Sequence, residues 1–358
     1  MSEAGDRHKS QLDGLRCYAV LLVFVFHAYP WEVFYVAHGV PYSYLGQLGV
    51  EIFFALSGFL ICKILDGHDS GDLKSDLKTF YMRRILRIIP LYYTFLTLNL
   101  IFGNLPDPAA YYLFTFNFRF FLEHRGPHGE CWSLCVEEQF YLLFPLLLLG
   151  TPPRWRVRML VSILFLVNIF QFWFDNNFKD LSERSSYLLP YCAHFLIGGA
   201  LAACIDARTE GKKFFRFDNE ILFSAGAFCL IPWFFLIAHR FDYDYLRFHS
   251  SILLFRSMAL SMMVFGLWRT KSRWLLWPFI QRPVAYLGRI SYGFYLLHCT
   301  SLVLAYYLLD KYLPAVRDCG FGLAFVFALL FSSVSWFFLE TPFNNLKKRF
   351  PYDRAVSK

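Results

Sequence analysis

Ionisable side chains are scarce in the long apolar stretches of this chain. Of its 358 residues, 57% are apolar, 21% are aromatic and only 17% are charged. Ionisable groups inside a membrane-spanning stretch are costly and are usually functional or paired. The residues of this kind are Arg16, His27, Glu51, Glu137, Glu138, His194, Arg256, Arg289 and His298.

Histidine and carboxylate together suit general acid–base catalysis, because an imidazole can take a proton from a hydroxyl while a carboxylate stabilises the imidazolium. His27 follows Arg16 by eleven residues and His298 follows Arg289 by nine, which are rises of roughly 16 Å and 13 Å on a helix. The carboxylates Glu51, Glu137 and Glu138 fall at compatible depths, so these side chains could converge on one buried polar cavity. Simple hydrogen bonding between helices is the preferred interpretation of both His298 and His194, taken singly.

A second candidate group is basic and lies at a predicted membrane boundary. Arg84 and Arg87 are three residues apart and share a helical face, and Arg83 is adjacent. Guanidinium groups bind phosphate bidentately, so such a cluster suits a phosphorylated ligand. Anchoring by the positive-inside rule, or contact with anionic lipid, is the alternative.

The elements that must hold these residues are membrane helices. The composition excludes a compact soluble protein, a disordered chain and a disulfide scaffold. We predict an all-α integral membrane fold with about ten spans, each of which needs roughly 20 apolar residues. The predicted spans are 15–35, 47–65, 88–102, 132–150, 158–174, 187–205, 220–239, 250–268, 287–308 and 320–340. Residues 105–122 are aromatic and contain Pro106 and Pro108, which predicts a re-entrant or interfacial segment.

The basic residues predict the orientation of these spans. Of the 35 Lys and Arg residues, 26 fall on one side of the ten-span arrangement and 8 on the other, with Arg256 inside a span. The positive-inside rule then places both termini in the cytoplasm. We expect one polytopic domain over 1–358, with a core at 11–345, short cytoplasmic tails and no appended soluble domain. The net charge of +8 therefore concerns topology, and no nucleic-acid partner is expected.

Several short motifs in a fixed order resemble a known family. They are Leu12-Asp13-Gly14-Leu15-Arg16 with His27, Gly49-Val50-Glu51-Ile52-Phe53-Phe54, Leu56-Ser57-Gly58-Phe59-Leu60, the Arg-x-x-Arg pair before Pro90, Trp132 to Tyr141, Gly288-Arg289-Ile290-Ser291-Tyr292 with His298, and Glu340-Thr341-Pro342. Each motif alone is weak, but the ordered set is specific. The chain resembles acyltransferase family 3, multi-pass membrane acyltransferases that modify bacterial surface glycans and some secondary metabolites.

The resemblance implies an O-acyltransferase of the cytoplasmic membrane. It would move an acyl group, in the first instance acetyl, from cytoplasmic acyl-CoA to a hydroxyl of a cell-surface or lipid-linked saccharide. The resemblance and the residue positions described above together predict three sets of residues. They are the catalytic His27, Glu137 and Glu138; the donor-binding Arg16, Arg83, Arg84 and Arg87; and a supporting polar cavity of Glu51, Trp132, Ser133, Arg289 and His298. The family commonly has Asp at the position of Glu51.

The predicted mechanism uses His27 as general base on the acceptor hydroxyl, oriented by Glu138 or Glu137. A covalent acyl-histidine intermediate is the alternative chemistry. The alternative acceptor is a small natural product such as a macrolide, and a proton-coupled transporter with a His and Glu relay is a more distant alternative. We expect acyl-CoA as a donor substrate, with no permanently bound cofactor and no metal. A homo-oligomer is left open.

Overall fold

The described part of the chain is built from helices. This computed structural model describes residues 10–28, 43–67, 72–123, 126–209, 219–238 and 249–352, and every regular element in these ranges is helical. The longer helices are α1 (Ser10–Ala28), α2 (Ser43–Gly67), α3 (Leu73–Ile101), α6 (Cys131–Leu149), α7 (Pro153–Asn177), α8 (Leu189–Thr209), α9 (Asn219–Ala238), α10 (His249–Arg269), α13 (Ser291–Tyr312) and α14 (Gly320–Ser335). The all-α class is therefore confirmed.

Short helices complete the architecture. They are α4 (Pro108–Tyr112), α5 (Phe116–Glu123), α11 (Arg273–Ile280), α12 (Arg282–Arg289) and α15 (Thr341–Asn345). Short 3₁₀ turns cover Lys179–Leu181, Glu183–Tyr187, Pro314–Cys319 and Leu346–Arg349, and a π-helical turn covers Trp336–Glu340.

Within the described ranges, nine helices are long and apolar enough to cross a bilayer. The remaining predicted span, 220–239, coincides with α9, whose shorter apolar stretch is Asn219–Leu230. The part of the first predicted span beyond Ala28 lies outside the described residues. The chain is a multi-pass membrane protein with about the number of spans that its hydropathy predicts.

The largest difference between a predicted boundary and the structure is at the start of α3. The span predicted at 88–102 is the second half of α3, which begins at Leu73, where the side chain of Asp72 accepts a hydrogen bond from the Lys74 amide at 3.1 Å. Charged residues in the first half of α3 lower its hydropathy although the helix continues. Consequently the Arg-x-x-Arg pair lies within α3, and Pro90 lies inside the same helix.

Two other predictions are refined. The segment 105–122 forms α4 and α5, two short helices rather than a span. The predicted span at 287–308 is divided at Ile290 into the end of α12 and the start of α13. Arg289 and His298 are therefore on different helices.

The centre of the bundle is held by close packing of α2 against α8. A Cβ atom added to Gly58 would overlap the backbone of Leu196, and one added to Gly199 would overlap the backbone of Ala55. Glycine at both positions lets the two helix backbones approach, which is the usual way to gain van der Waals contact between membrane helices.

The outer surface of the bundle is apolar. Helix α7 exposes half or more of the side chains of Phe165, Phe172 and Trp173, and α14 exposes Val326 and Leu330 similarly. Exposed apolar faces of this extent suit contact with lipid rather than water. The buried ionisable residues, among them Glu51, Arg256 and His298, lie where helices face each other.

Candidate active site

Helix α1 carries two predicted site residues, Arg16 towards its N-terminal end and His27 in its last turn. Arg16 is half-buried and makes a 3.0 Å ion pair with Asp13, one turn earlier. The end of α12 packs directly on this turn, since a Cβ atom on Gly288 would overlap the Asp13 backbone. His27 is the penultimate residue of α1. Arg16 and His27 are therefore roughly 16 Å apart along one continuous helix.

His27 meets His298, which is 271 residues away in the sequence. The Nδ1 atom of His27 lies 3.1 Å from Nε2 of His298, and the ring centroids are 4.9 Å apart. The same Nδ1 atom lies 2.9 Å from the Val23 carbonyl oxygen. His298 is fully buried, whereas His27 has an exposed side chain. One imidazole is thus accessible to a substrate and its partner is fixed in the protein.

The surroundings of His298 add a thiol and two hydroxyl groups. The Sγ atom of Cys299 lies 3.3 Å from His298 Nε2. The hydroxyl of Tyr295, one turn before His298, lies 2.6 Å from the Ser133 hydroxyl and donates to the Glu130 carbonyl oxygen at 3.1 Å. These bonds fix the start of α6 against α13, beside the histidine pair.

Glu130 brings a buried carboxylate to this region. Its side chain, at the residue before α6, is 4% exposed and lies within electrostatic range of both His27 and His298. Burial raises the pKa of the Glu130 carboxyl, but His128, 3.7 Å away, and His298 lower it more, so that the pKa is below its usual value. The carboxylate is therefore the charged form, and it favours a positive charge on the histidine pair.

The structure does not bring Glu137 to His27. The Glu137 carboxylate accepts a short hydrogen bond from the Ser57 hydroxyl of α2, and Ser57 in turn accepts one from Tyr141 at 3.2 Å. Glu137 lies two turns beyond Glu130 on α6, a rise of about 10 Å. The described contacts of the His27 ring do not include the carboxylate that we expected to orient it, and they include His298 instead.

Arginines of α3 surround this second acidic group. The guanidinium of Arg84 lies 4.7 Å from the ring centroid of Tyr141 and 5.5 Å from that of Phe80. Arg87 is within electrostatic range of Arg84, Arg16 and Glu137. Glu138 lies in the field of Glu137 and Arg84, and one of its buried oxygens has no hydrogen-bond partner among the described residues. The Arg-x-x-Arg pair, Arg16 and the two glutamates therefore form one cluster, the inner cluster.

The C-terminal part of the described chain closes the inner cluster. Lys347 lies within electrostatic range of Arg83, Arg84 and Arg87, and of the buried Glu340. Glu340 accepts a hydrogen bond from Ser335 at 3.0 Å. The cluster thus brings several cations close together, although Arg16 is already paired with Asp13, and a concentration of cations of this kind suits an anion.

Arg83 has a different set of partners from Arg84. It donates to the carbonyl oxygens of Lys347 and Phe350 at 3.1 and 3.0 Å and stacks on Tyr352, 4.7 Å from the ring centroid. Its described contacts therefore tie the C-terminal segment to α3. A role of Arg83 in donor binding stays a prediction.

For three predicted cavity residues, the described contacts do not include the histidine pair. Glu51 is buried and forms an ion pair with Arg256 of α10, and Gln47 donates to it at 3.2 Å. Trp132 packs edge-on against Phe54, with ring centroids 6.2 Å apart. Arg289 is exposed at the end of α12.

The Glu51–Arg256 pair explains how α2 and α10 tolerate charged residues inside the membrane. A buried ion pair compensates part of the cost of desolvating its two members. Of the predicted cavity residues, only Ser133 and His298 are brought together at the histidine pair, through Tyr295.

Two residues of the site were missed by sequence reasoning. Glu130 is in a polar loop segment that the sequence alone gives no reason to bury, although it directly precedes the Trp132 motif. Lys347 follows the Glu340-Thr341-Pro342 motif, and a cation there resembles an ordinary positive-inside residue. Their closeness to two motifs was the only available signal.

Metal binding at the histidine pair is sterically feasible. Among the described residues, donor atoms of His27, His298 and Cys299 lie within 4.8 Å of one another. The same atoms also hydrogen-bond to each other, so the group fits proton transfer without any metal.

A family model described as an acyltransferase domain, that of acyltransferase family 3, matches residues 9–339. The chain belongs to acyltransferase family 3. The match includes both ends of the site, from Arg16 to His298, and the family supplies the enzyme class, acyl transfer. No solved structure matches the chain.

Curated relatives of this acyltransferase carry similar names. It is 27% identical over 384 residues to the putative peptidoglycan O-acetyltransferase YrhL of Bacillus subtilis. It is 26% identical to the O-acetyltransferase OatA of Staphylococcus aureus and to the peptidoglycan O-acetyltransferase OatA of Listeria monocytogenes. Each alignment covers 94% of this chain but only 56–57% of the relative. The chain therefore spans a little over half the length of these relatives.

Proposed function

We propose that this protein is a membrane O-acetyltransferase that moves acetyl from cytoplasmic acetyl-CoA to a hydroxyl of a cell-wall saccharide. The observation that carries the proposal is the placement of the two ends of α1. Arg16 joins a cluster rich in arginine, and His27 joins a histidine pair with a buried carboxylate. One end suits phosphate binding and the other suits activation of a hydroxyl.

The donor binds through its phosphates at the inner cluster. Arg84, Arg87 and Arg16 supply guanidinium groups, and Lys347 adds a further positive charge in electrostatic range. The pantetheine arm of CoA is roughly 15–20 Å long, which is comparable to the separation of Arg16 and His27 on α1. The thioester can therefore reach His27 while the nucleotide stays at the basic face, which the count of Lys and Arg residues assigns to the cytoplasm.

At the histidine pair the acceptor hydroxyl gives its proton to His27. The hydroxyl oxygen attacks the thioester carbonyl, the carbon–oxygen bond forms and the carbon–sulfur bond breaks. The proton then passes from His27 to the departing sulfur, so the products are the O-acetyl ester and free CoA. General-base catalysis of this kind contributes rate factors of about 10²–10⁴.

The acceptor class is supported by the relatives. Of the three relatives named above, two have peptidoglycan in their printed names and all three have O-acetyltransferase. These names favour a saccharide of the cell wall over a small natural product such as a macrolide. The exposed side chain of His27 allows such an acceptor to approach.

The proposal is tested with the purified full chain in lipid nanodiscs, supplied with radiolabelled acetyl-CoA and cell-wall glycan fragments. Transfer of label to glycan, detected also by mass spectrometry as added acetyl on the fragment, supports it. Absence of transfer with glycan and small-molecule acceptors alike, in protein that folds and binds acetyl-CoA, contradicts it. A matched preparation carrying His27→Asn reports the background.

A further inference from the structure

Hydrogen-bond partners define which nitrogen of each imidazole carries the proton. His298 Nδ1 lies 2.5 Å from the Tyr295 carbonyl oxygen, which can only accept, so this nitrogen is N–H. In a neutral ring His298 Nε2 is then the acceptor. His27 Nδ1 therefore faces two acceptors, His298 Nε2 and the Val23 carbonyl oxygen.

These hydrogen bonds also define the state of the other nitrogen of His27, Nε2. Because Nδ1 must donate, the neutral His27 ring carries its lone pair on Nε2. Selection of one tautomer by a partner on Nδ1 is what the aspartate does in a Ser-His-Asp triad. Here the partner is a second, buried imidazole.

We propose that His298 and Glu130 act as positioning residues for His27. His298 holds His27 in the tautomer whose Nε2 is the base, and Glu130 supplies the negative charge that stabilises the imidazolium formed there. This inference rests on the proposed acyl transfer for its kinetic consequences. Its tautomer, however, can be measured without turnover.

Burial and charge support the role of Glu130. The side chain is 4% exposed, one carboxylate oxygen has no hydrogen-bond partner among the described residues, and both imidazoles feel its charge. The other titratable groups around the pair are His128, the thiols of Cys131 and Cys299, and the phenol of Tyr295. Glu130 is thus the one acidic group among the described neighbours of the pair.

The proton account is simple. The acceptor proton moves to His27 Nε2 as the carbon–oxygen bond forms, and the Nδ1–H bond to His298 strengthens because the donor is now charged. When the proton leaves for the sulfur of CoA, the ring returns to its starting tautomer. Neither His298 nor Glu130 gains or loses a proton over the cycle.

Two substitutions of His298 separate positioning from packing. Glutamine places an oxygen acceptor near the site of Nε2, whereas methionine fills the space without a comparable acceptor. We expect His298→Met to lower kcat by about 100-fold with little change in KM, and His298→Gln to recover most of that loss. The matched control is His194→Gln, because His194 is also buried and its Nδ1 lies 2.9 Å from the carbonyl of Tyr191, three residues earlier. It should lower thermal stability without lowering kcat.

Glu130→Gln removes the charge but keeps the shape. We expect kcat to fall about tenfold, and the acidic limb of the rate profile to move to lower pH because the imidazolium forms less readily without the carboxylate. Equal kcat in the wild type and His298→Met, or equal losses in His298→Met and His298→Gln, would overturn the positioning role. An unmoved acidic limb in Glu130→Gln would overturn the role of its charge.

Nitrogen-15 NMR of histidine-labelled protein tests the tautomer itself. The His27 signals are assigned by their loss in His27→Asn, and they should report N–H at Nδ1 in the wild type and a mixture of tautomers in His298→Met. N–H at Nε2 in the wild type would refute the inference even if acyl transfer is observed. Conversely, the expected tautomer in a protein without transferase activity would contradict the proposed function and leave the tautomer assignment intact.

Discussion

At the His27 end of α1, one accessible imidazole has one buried partner and one buried carboxylate nearby. At the Arg16 end, at least four cations and three glutamates share a partly exposed space. Proton transfer depends on the direction of a single lone pair, which burial and fixed hydrogen bonds protect. Phosphate binding depends on summed charge, for which several mobile guanidinium groups serve better. The His27 end of α1 therefore has the features of a reaction centre, and the Arg16 end has those of a binding site.

The strongest test of this contrast is His27→Asn. Removal of the base should lower kcat by about 10³-fold or more while the Kd for acetyl-CoA stays unchanged, because the donor phosphates bind at the other end. Steady-state transfer and equilibrium binding to nanodisc-embedded protein provide both quantities. A large increase in the Kd for acetyl-CoA in His27→Asn would contradict the separation of catalysis and donor binding between the two ends.

The reciprocal test is Arg84→Ala with Arg87→Ala. Loss of charge-assisted hydrogen bonds should raise the Kd and KM for acetyl-CoA by about 100-fold, with a much smaller change in kcat at saturation. The matched control is Arg154→Ala with Arg158→Ala, which removes two exposed arginines from the same predicted side. If both doubles behave alike, the Arg-x-x-Arg pair only anchors the chain in the membrane.

A finer test asks to which end Glu137 belongs. Its bond to Ser57 and its closeness to Arg87 assign it to the inner cluster. Glu137→Gln should therefore change KM for acetyl-CoA by about three- to tenfold and leave the pH profile of kcat in place. A profile shifted like that expected of Glu130→Gln would return Glu137 to the catalytic role predicted from the sequence.

The smallest effect is expected for Arg83→Ala. Its partners are carbonyl oxygens and a tyrosine ring in the C-terminal segment, so its loss should cost about 1 kcal/mol of stability and change KM less than about threefold. Thermal unfolding and the same transfer assay measure both. A KM effect as large as that of the Arg84 and Arg87 pair would place Arg83 at the phosphates.

Hydropathy and charge predicted the class, the approximate span number and the position of most helices. Hydropathy misplaced the start of α3, whose first half carries Lys74, Asp76 and Lys78 among apolar residues. Such charges lower the mean hydropathy, so this half was assigned to a loop between spans. Whether a charged stretch continues a helix depends on packing beyond the span. That information is not in local composition.

The residues of the site were easier to find than to group. Depth along each helix put His27 and His298 at similar levels, and the structure has them in contact. It put Glu137 and Glu51 at compatible levels too, but these contact Ser57 and Arg256 instead. The depth of a residue along its helix gives only its position along the membrane normal. Rotation about the helix axis, and contact between segments hundreds of residues apart, decide which groups meet.

The two ends of α1 are joined by unbroken α-helix from Ser10 to Ala28. A helix of this kind has no hinge, so the gap between the bound phosphates and the base is set by residue count at about 1.5 Å each. Acetyl donors would then be selected by the length of the arm between phosphate and thioester as well as by their charge. A thioester on a shorter arm could not reach His27 while its phosphates are bound at the inner cluster. One helical turn inserted between Arg16 and His27 would add about 5.4 Å, so the donor would need a correspondingly longer arm.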